Sequence, residues 1–223
     1  MLLAVLAFSM TACTRTDEAW TLSPKIQQQC LAVLREGMKS EEFWPSIHAA
    51  EGLTVAGYGT EVQDYLASKL PLEKDDQRRC GIARELFRAG DREKSAVMVD
   101  ILKNEDPHGH VHAAESLYKV GWDGNDDALQ KAFQETDDVR LRLMTAAALA
   151  KFNRGVPGKE AFAFLRENLQ KEPDPAIYRI SAWVLARIGK DSDKHLIRSR
   201  MNDADDELVH AFLEHALAAL GDE

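Results

Sequence analysis

An all-α, right-handed α-α superhelix is the fold class that this sequence predicts, on two observations. First, one skeleton recurs along the chain: an acid, a leucine eleven positions later and a glycine four positions after that. It stands at Glu42/Leu53/Gly57, Asp75/Leu86/Gly90, Asp106/Leu117/Gly121, Asp138/Leu149/Asn153, Asp174/Leu185/Gly189 and Asp206/Leu217/Gly221. Successive leucines lie 33, 31, 32, 36 and 32 residues apart. Such a period marks stacked helical pairs, none of which can bury its apolar face alone. Second, no run alternates apolar and polar residues between hairpin signals, so no strand is expected. About five and a half helical hairpins follow.

Each part of the skeleton has a physical reason. The acid suits a helix N-terminus, where a carboxylate accepts unpaired backbone N–H bonds and faces the positive end of the dipole. Leucine shares a helix face with small residues three and four places before it, as Leu117 does with Ala114 and Ala113. The glycine supplies a left-handed residue that stops the helix, and Asn153 is the one substitute that often can.

In chain order, residues 1–12 are apolar and uncharged, too short to span a membrane, and read as the core of a signal peptide. Residues 13–24 are a cysteine followed by a polar tether. Residues 25–40, with Ile26, Cys30, Leu31, Val33 and Leu34 at helical spacing, form an N-terminal capping helix, which a solenoid needs to cover its terminal repeat. The repeat domain, 41–223, divides near 42–74, 75–105, 106–137, 138–173, 174–205 and 206–223. After each glycine comes a second helix, marked by Val62/Leu66/Leu70, Val97/Ile101/Leu102, Leu129/Phe133, Phe162/Leu165/Leu169 and Leu196/Ile197/Met201. The 36-residue spacing falls where Arg154-Gly155-Val156-Pro157-Gly158 lengthens a turn, and the last repeat is expected to consist of its first helix alone. Cys30 and Cys80 have a whole repeat between them. Neighbouring helices lie about 8–10 Å apart, whereas a disulfide needs Cα atoms within about 7 Å. Two buried thiols are expected.

Asp138…Leu141-Arg142…Ala146…Leu149 and Asp75…Arg79…Ala83…Leu86…Gly90 resemble the HEAT-type repeats of bacterial proteins, in the short form also found in phycobilin lyases. The resemblance covers roughly residues 41–223. It implies a HEAT-like solenoid but not one activity, since such proteins include scaffolds, adaptors, lyases and hydroxylases. The tract also looks like helical-repeat segments attached to transporters and enzymes, which implies a regulatory subunit as a further alternative. Met10-Thr11-Ala12-Cys13 resembles a bacterial lipobox, with Met10 where leucine is usual and no Lys or Arg before the apolar run. It implies lipidation of Cys13 and a periplasm-facing envelope protein; Thr14 after the cysteine leans toward the outer membrane. The other reading is a secreted or periplasmic soluble protein.

Composition bounds the partners. Net charge is −9, and 45% of residues are hydrophobic against 7% aromatic. An acidic solenoid lacks the basic stripe that nucleic acid requires, and anionic headgroups repel it, so membrane attachment falls to the N-terminal lipid alone. No cofactor is implied. Serine or cysteine nucleophile signatures, a phosphate-binding glycine loop and adjacent His-Glu dipeptides are missing, which argues against an enzyme. The run His108-Gly109-His110-Val111-His112 suggests metal or small-ligand binding, with His108, His112 and Glu115 the only set that helical spacing can bring together. His48-Ala49-Ala50-Glu51 and His112-Ala113-Ala114-Glu115 occupy equivalent places two repeats, about 20 Å, apart, each expected to pair locally. The leading reading is a lipid-anchored, non-enzymatic protein-interaction scaffold. Its protein or peptide partner is expected on a concave face formed by the second helices. Trp44, Tyr58, Asp64, Trp122, Asp127 and Tyr178 are the candidate contacts, since aromatic anchors dominate interface energies; Trp183 reads as packing between repeats.

Overall fold

The helices of the repeat come in the order that the skeleton dictates. The computed structural model describes residues 22–152, 155–204 and 206–221. A capping helix, α1 (Pro24–Met38), precedes the pairs α2/α3 (Phe43–Val55, Gly59–Leu66), α4/α5 (Asp76–Arg88, Ser95–Lys103) and α6/α7 (His110–Val120, Asp127–Glu135). The pairs α8/α9 (Val139–Phe152, Gly155–Lys171) and α10/α11 (Pro175–Ile188, Lys194–Asn202) follow, then α12 (Glu207–Ala219). Among the described residues there is no strand, and no helix is long and apolar enough to cross a membrane. The chain is an all-α solenoid. The lipobox, Cys13 and Asn153 lie outside the described residues.

The acids do what their position predicts. Asp75 accepts the backbone N–H of Arg78 at 2.9 Å, Asp106 that of His108 at 3.0 Å, and Asp138 that of Arg140 at 2.8 Å. Asp174 accepts from Ala176 at 2.8 Å and Asp206 from Val209 at 2.9 Å. Glu42 precedes α2 but makes no capping bond; its extra methylene carries the carboxylate past the donors that aspartate reaches. Gly57, Gly90, Gly121 and Gly221 take positive φ, as a helix stop of this kind requires. Gly189 does not, with φ −68°. A Cβ there would stand 2.3 Å from the Leu185 carbonyl oxygen, so glycine is needed for close approach rather than handedness.

Two further expectations are corrected. The extra residues after α8 do not lengthen a turn: α9 begins at Gly155 and runs for 17 residues, so the insertion is absorbed by helix. Cys80 is buried but Cys30 is exposed, and they are not bonded. Cys30 shares the outer side of α1 with Ile26 and Val33, while α1 turns Leu31, Leu34 and Met38 onto the first repeat. Burial pushes the Cys80 thiol up to about 12, so it stays protonated.

The core is one apolar seam in two adjoining parts. A smaller cluster runs from Met38 through Leu53 and Val62 to Leu86, and a larger one from Cys80 through Leu117 and Leu185 to Leu217. Helix α4 feeds both, and residues 80–87 are buried on every side. Helix α8 is nearly as enclosed.

The direction of curvature follows from which helices reach past their neighbours. The Trp44 ring on α2 stacks on His112 of α6, centroids 5.6 Å apart, two repeats along. The Tyr118 ring on α6 meets Trp183 of α10 edge-on at 5.1 Å, again two repeats along. With helices about 8–10 Å apart, such contacts form only where the stack curves inward. First helices also pack closely on first helices of adjoining repeats, while second helices splay. The first helices therefore line the inner face and the second helices the outer, which reverses the sequence expectation.

Candidate functional site

The inner face is built in two halves, each with a first helix sunk beneath the side chains of its neighbours. In the N-terminal half, α4 places Gly81 under the bridge between Trp44 and His112. A Cβ at Gly81 would lie 3.3 Å from the rings of Phe43 and Trp44, so a side chain there would lift the bridge. One turn on, Arg84 and Glu85 are buried at 4% and 0% exposure. The Arg84 Nε donates to Glu85 Oε1 at 2.6 Å, and Arg88 Nη1 reaches Glu51 at 2.6 Å and Glu85 at 3.0 Å. Arg84 keeps one donor, Nη2, without a partner. A buried ion cluster of this kind is costly to break, because removal of one partner strands a charge out of water.

His112 is the pivot of this half. Its Nδ1 is buried and unpartnered. Burial holds its pKa below the ordinary value, with Glu115 pulling the other way. The imidazole is thus neutral against the Trp44 ring.

In the C-terminal half, Tyr118 and Trp183 close over α8. The Tyr118 hydroxyl is buried without a partner, and burial pushes it up to about 12. Beside the ring pair lies a shallow cavity of about 260 Å³. Met144, Ile180, Trp183 and Phe212 give it an apolar wall, with Glu115 and Arg179 at the rim. These residues come from α6, α8, α10 and α12, so one pocket samples four successive repeats.

The sequence candidates divide accordingly. Trp44 does stand on the inner face, 37% exposed. Tyr58 is half-buried at the start of α3 with the Arg35 guanidinium 4.8 Å from its ring centroid. Asp64 and Asp127 are exposed on second helices, hence on the outer face; Asp127 lines a groove of about 450 Å³ between α5 and α7. Trp122 is half-buried over Gly124, whose Cβ would stand 2.3 Å from the indole. Tyr178 is not available to a partner: it is 3% exposed, and Arg200 of α11 lies over its ring at 4.1 Å. These six residues form no single surface.

The metal alternative does not assemble. His108 Nε2 is 3.0 Å from the Asp75 carboxylate, which raises its pKa, while His112 is held under Trp44 and Glu115 pairs with Lys119 at 2.7 Å. Among the described residues no three His, Cys, Asp or Glu side chains are placed to hold a metal ion. His48 approaches Glu51 at 3.6 Å, but the equivalent His112–Glu115 pair does not form: the His112 ring is stacked on Trp44 and Lys119 takes the carboxylate. His110 bonds Asn104 at 3.1 Å and Arg142 bonds the Phe133 carbonyl at 3.0 Å, so in these two repeats the first helix is tied to the end of the preceding second helix.

Sequence reasoning missed the pocket. Trp183 has the packing role expected of it, yet its other face is a pocket wall. The available signal was in α8, where Leu141, Leu143, Met144 and Ala146–Ala150 leave almost no polar side. A helix apolar all round is buried all round, so other residues must cover its inward face.

A family comparison agrees with this architecture over part of its length. No curated protein matches the chain. One similar solved structure is a crystal structure of an engineered protein, 19% identical, with a TM-score of 0.44, covering 86% of this chain and 96% of that one. Residues 127–218, from α7 through α12, match the family model for HEAT repeats, and the same acid–leucine–glycine skeleton carries the pairs back from there to Glu42.

Proposed function

We propose that this chain is a non-enzymatic protein-interaction scaffold, held at the bacterial cell envelope by a lipid on Cys13, with its partner on the inner face of the solenoid. HEAT repeats are in general protein-interaction scaffolds. The observation that carries the reading is the pocket at Trp183. A pocket lined from four repeats, with Trp183 and Phe212 in its apolar wall, open to solvent and framed by charged residues, is the kind of place where a few anchors supply most of an interface's binding energy. The lipobox-like Met10–Cys13 supports the anchor.

Site-specific photocrosslinking in living cells tests both parts. A photoreactive phenylalanine at Arg179, on the pocket rim, should give one discrete protein adduct. The same group at Val156, exposed on the outer face, should give none. Cys13→Ala in the same strain should move the protein out of the membrane fraction. Equal adducts at both positions, or none at Arg179, would overturn the inner-face reading. Retention of the Cys13→Ala protein on membranes after a high-salt wash would overturn the lipid anchor.

A further inference from the structure

The position two residues after each skeleton leucine holds Arg88, Lys119, Lys151 and Arg187 in the four central repeats, and Val55 and Ala219 in the outer two. All four cations stand in the last turn of a first helix, where the negative end of the dipole favours them. That accounts for each one separately. It does not account for their being gathered. Because first helices converge on the inner face, these cations converge too: Lys151 donates to the Tyr118 carbonyl at 2.9 Å and lies 5.0 Å from its ring. Arg187 lies 4.6 Å from the Trp183 ring, and Tyr118 and Trp183 are themselves in contact. Lys151 has its pKa lowered by burial, and further by Arg88 from two repeats away.

The row is short of counter-charge. Arg88 shares Glu51 and Glu85 with the buried Arg84, and Lys119 pairs with Glu115. Among the described residues neither Lys151 nor Arg187 forms an ion pair with a carboxylate, and Arg84 Nη2, on a side chain 4% exposed, has no partner. Five cations therefore meet three carboxylates in a chain whose net charge is −9. The cavity at Trp183 adjoins the row, sharing Glu115 with Lys119 and the indole with Arg187.

We infer that the row Arg88, Lys119, Lys151 and Arg187, with the apolar pocket at Trp183, docks an extended acidic peptide segment that carries one large apolar side chain. The inference rests on the interaction-scaffold reading and names the chemistry of the partner. Three helix–helix steps span roughly 25–30 Å at most, and an extended chain advances about 3.3 Å per residue. A segment of about eight to ten residues therefore matches the row, with an acid near every third position. Charge opposition steers such a segment in and sets its register, and the pocket takes the apolar anchor. A nucleic acid fits less well, because its dense phosphate charge requires a broad basic surface that an acidic solenoid withholds.

Fluorescence anisotropy with the intact chain tests this. The probe is a labelled peptide of about ten residues, with Glu at every third position, one central Phe and Ser elsewhere. Binding should weaken steeply with added salt and be lost when the Glu residues are replaced by Lys. Lys151→Glu with Arg187→Glu should weaken it by about tenfold or more. Lys103→Glu with Lys171→Glu makes the same charge change in the last turns of two second helices and should leave binding unaltered. Circular dichroism checks that both variants fold, and Lys151→Gln with Arg187→Gln repeats the test without charge reversal. Equal losses in the two Glu variants, or an oligonucleotide of equal charge binding as tightly, would overturn the proposal. So would a folded parent chain that ignores the peptide. If the Arg179 crosslink persists in that case, the scaffold reading stands and only the partner chemistry fails.

Discussion

Two histidines four residues apart show how placement sets chemistry. His108 donates to the Asp75 carboxylate and has its pKa raised; His112 lies under Trp44 and has its pKa lowered by burial. The signs of their pH dependence are opposite. The interaction of His108 is fully present below its ordinary value of 6.5 and is lost as pH rises through its higher folded value. The contribution of His112 is present above 6.5 and is lost as pH falls through its lower folded value, when the buried ring must charge. Proton NMR titration should therefore place His112 below 6.5, and Trp44→Ala, which uncovers the ring, should bring it back toward 6.5. A His112 that titrates at or above 6.5, unmoved by Trp44→Ala, would refute burial as the cause. The local pairings of these residues were only half legible in the sequence. Spacing indicates that a histidine and a glutamate can meet at i, i+3, but not that Lys119, at i+4 from Glu115, competes and wins.

Within the helical pairs, the skeleton is legible because each of its parts answers to local backbone geometry. Aspartate caps, alanine seams and left-handed glycines need only their own helix to make sense, so five of the acids and four of the glycines do as spacing predicts. Gly109 belongs to a different category, since what it accommodates comes from elsewhere in the fold. A Cβ at Gly109 would stand 2.6 Å from Ile101 Cγ2 and 2.7 Å from Asp76 Cβ, in the seam between α4, α5 and α6. Gly109→Ala should cost about 1–3 kcal/mol in urea unfolding, as overpacking does. Gly57 offers the contrast: its φ is +92° with open space around it. Asparagine tolerates the left-handed region, so Gly57→Asn should cost clearly less than Gly109→Asn. The reverse order would mean that backbone conformation, not crowding, sets the demand at Gly109.

For the whole molecule, the order of elements is legible in the period of the repeat, and the inner face is not. Periodicity reveals which side of a helix is apolar; it carries no sign for the direction in which a stack of such helices bends. The bend depends on which row can pack more closely. Here the first helices do, because Ala50, Ala83, Ala114, Ala147 and Ala182 let their backbones approach. Stability should reflect position in the stack. Leu117 and Leu213 are equally buried, at 1% and 0% exposure. Leu117→Ala should cost about 2–5 kcal/mol and weaken hydrogen-exchange protection on both sides of α6. Leu213→Ala should release α12 locally and leave α2–α6 protected, since a terminal helix can detach while the rest persists. Equal loss of protection at α4 in the two variants would contradict a linear array.

The two ring pairs, Trp44 on His112 and Tyr118 on Trp183, cross the inside of the bend like ties across an arch. A stack joined only by adjacent repeats flexes as a spring, each joint yielding a little. In this one, straightening must draw the ties apart, and tighter closure presses together rings already in contact. Both directions of flexing are resisted at the same residues, so the arch keeps its radius without anything seated in it. A segment that lies along this rim meets a surface already in its final shape and loses little of its binding energy to rearranging the protein.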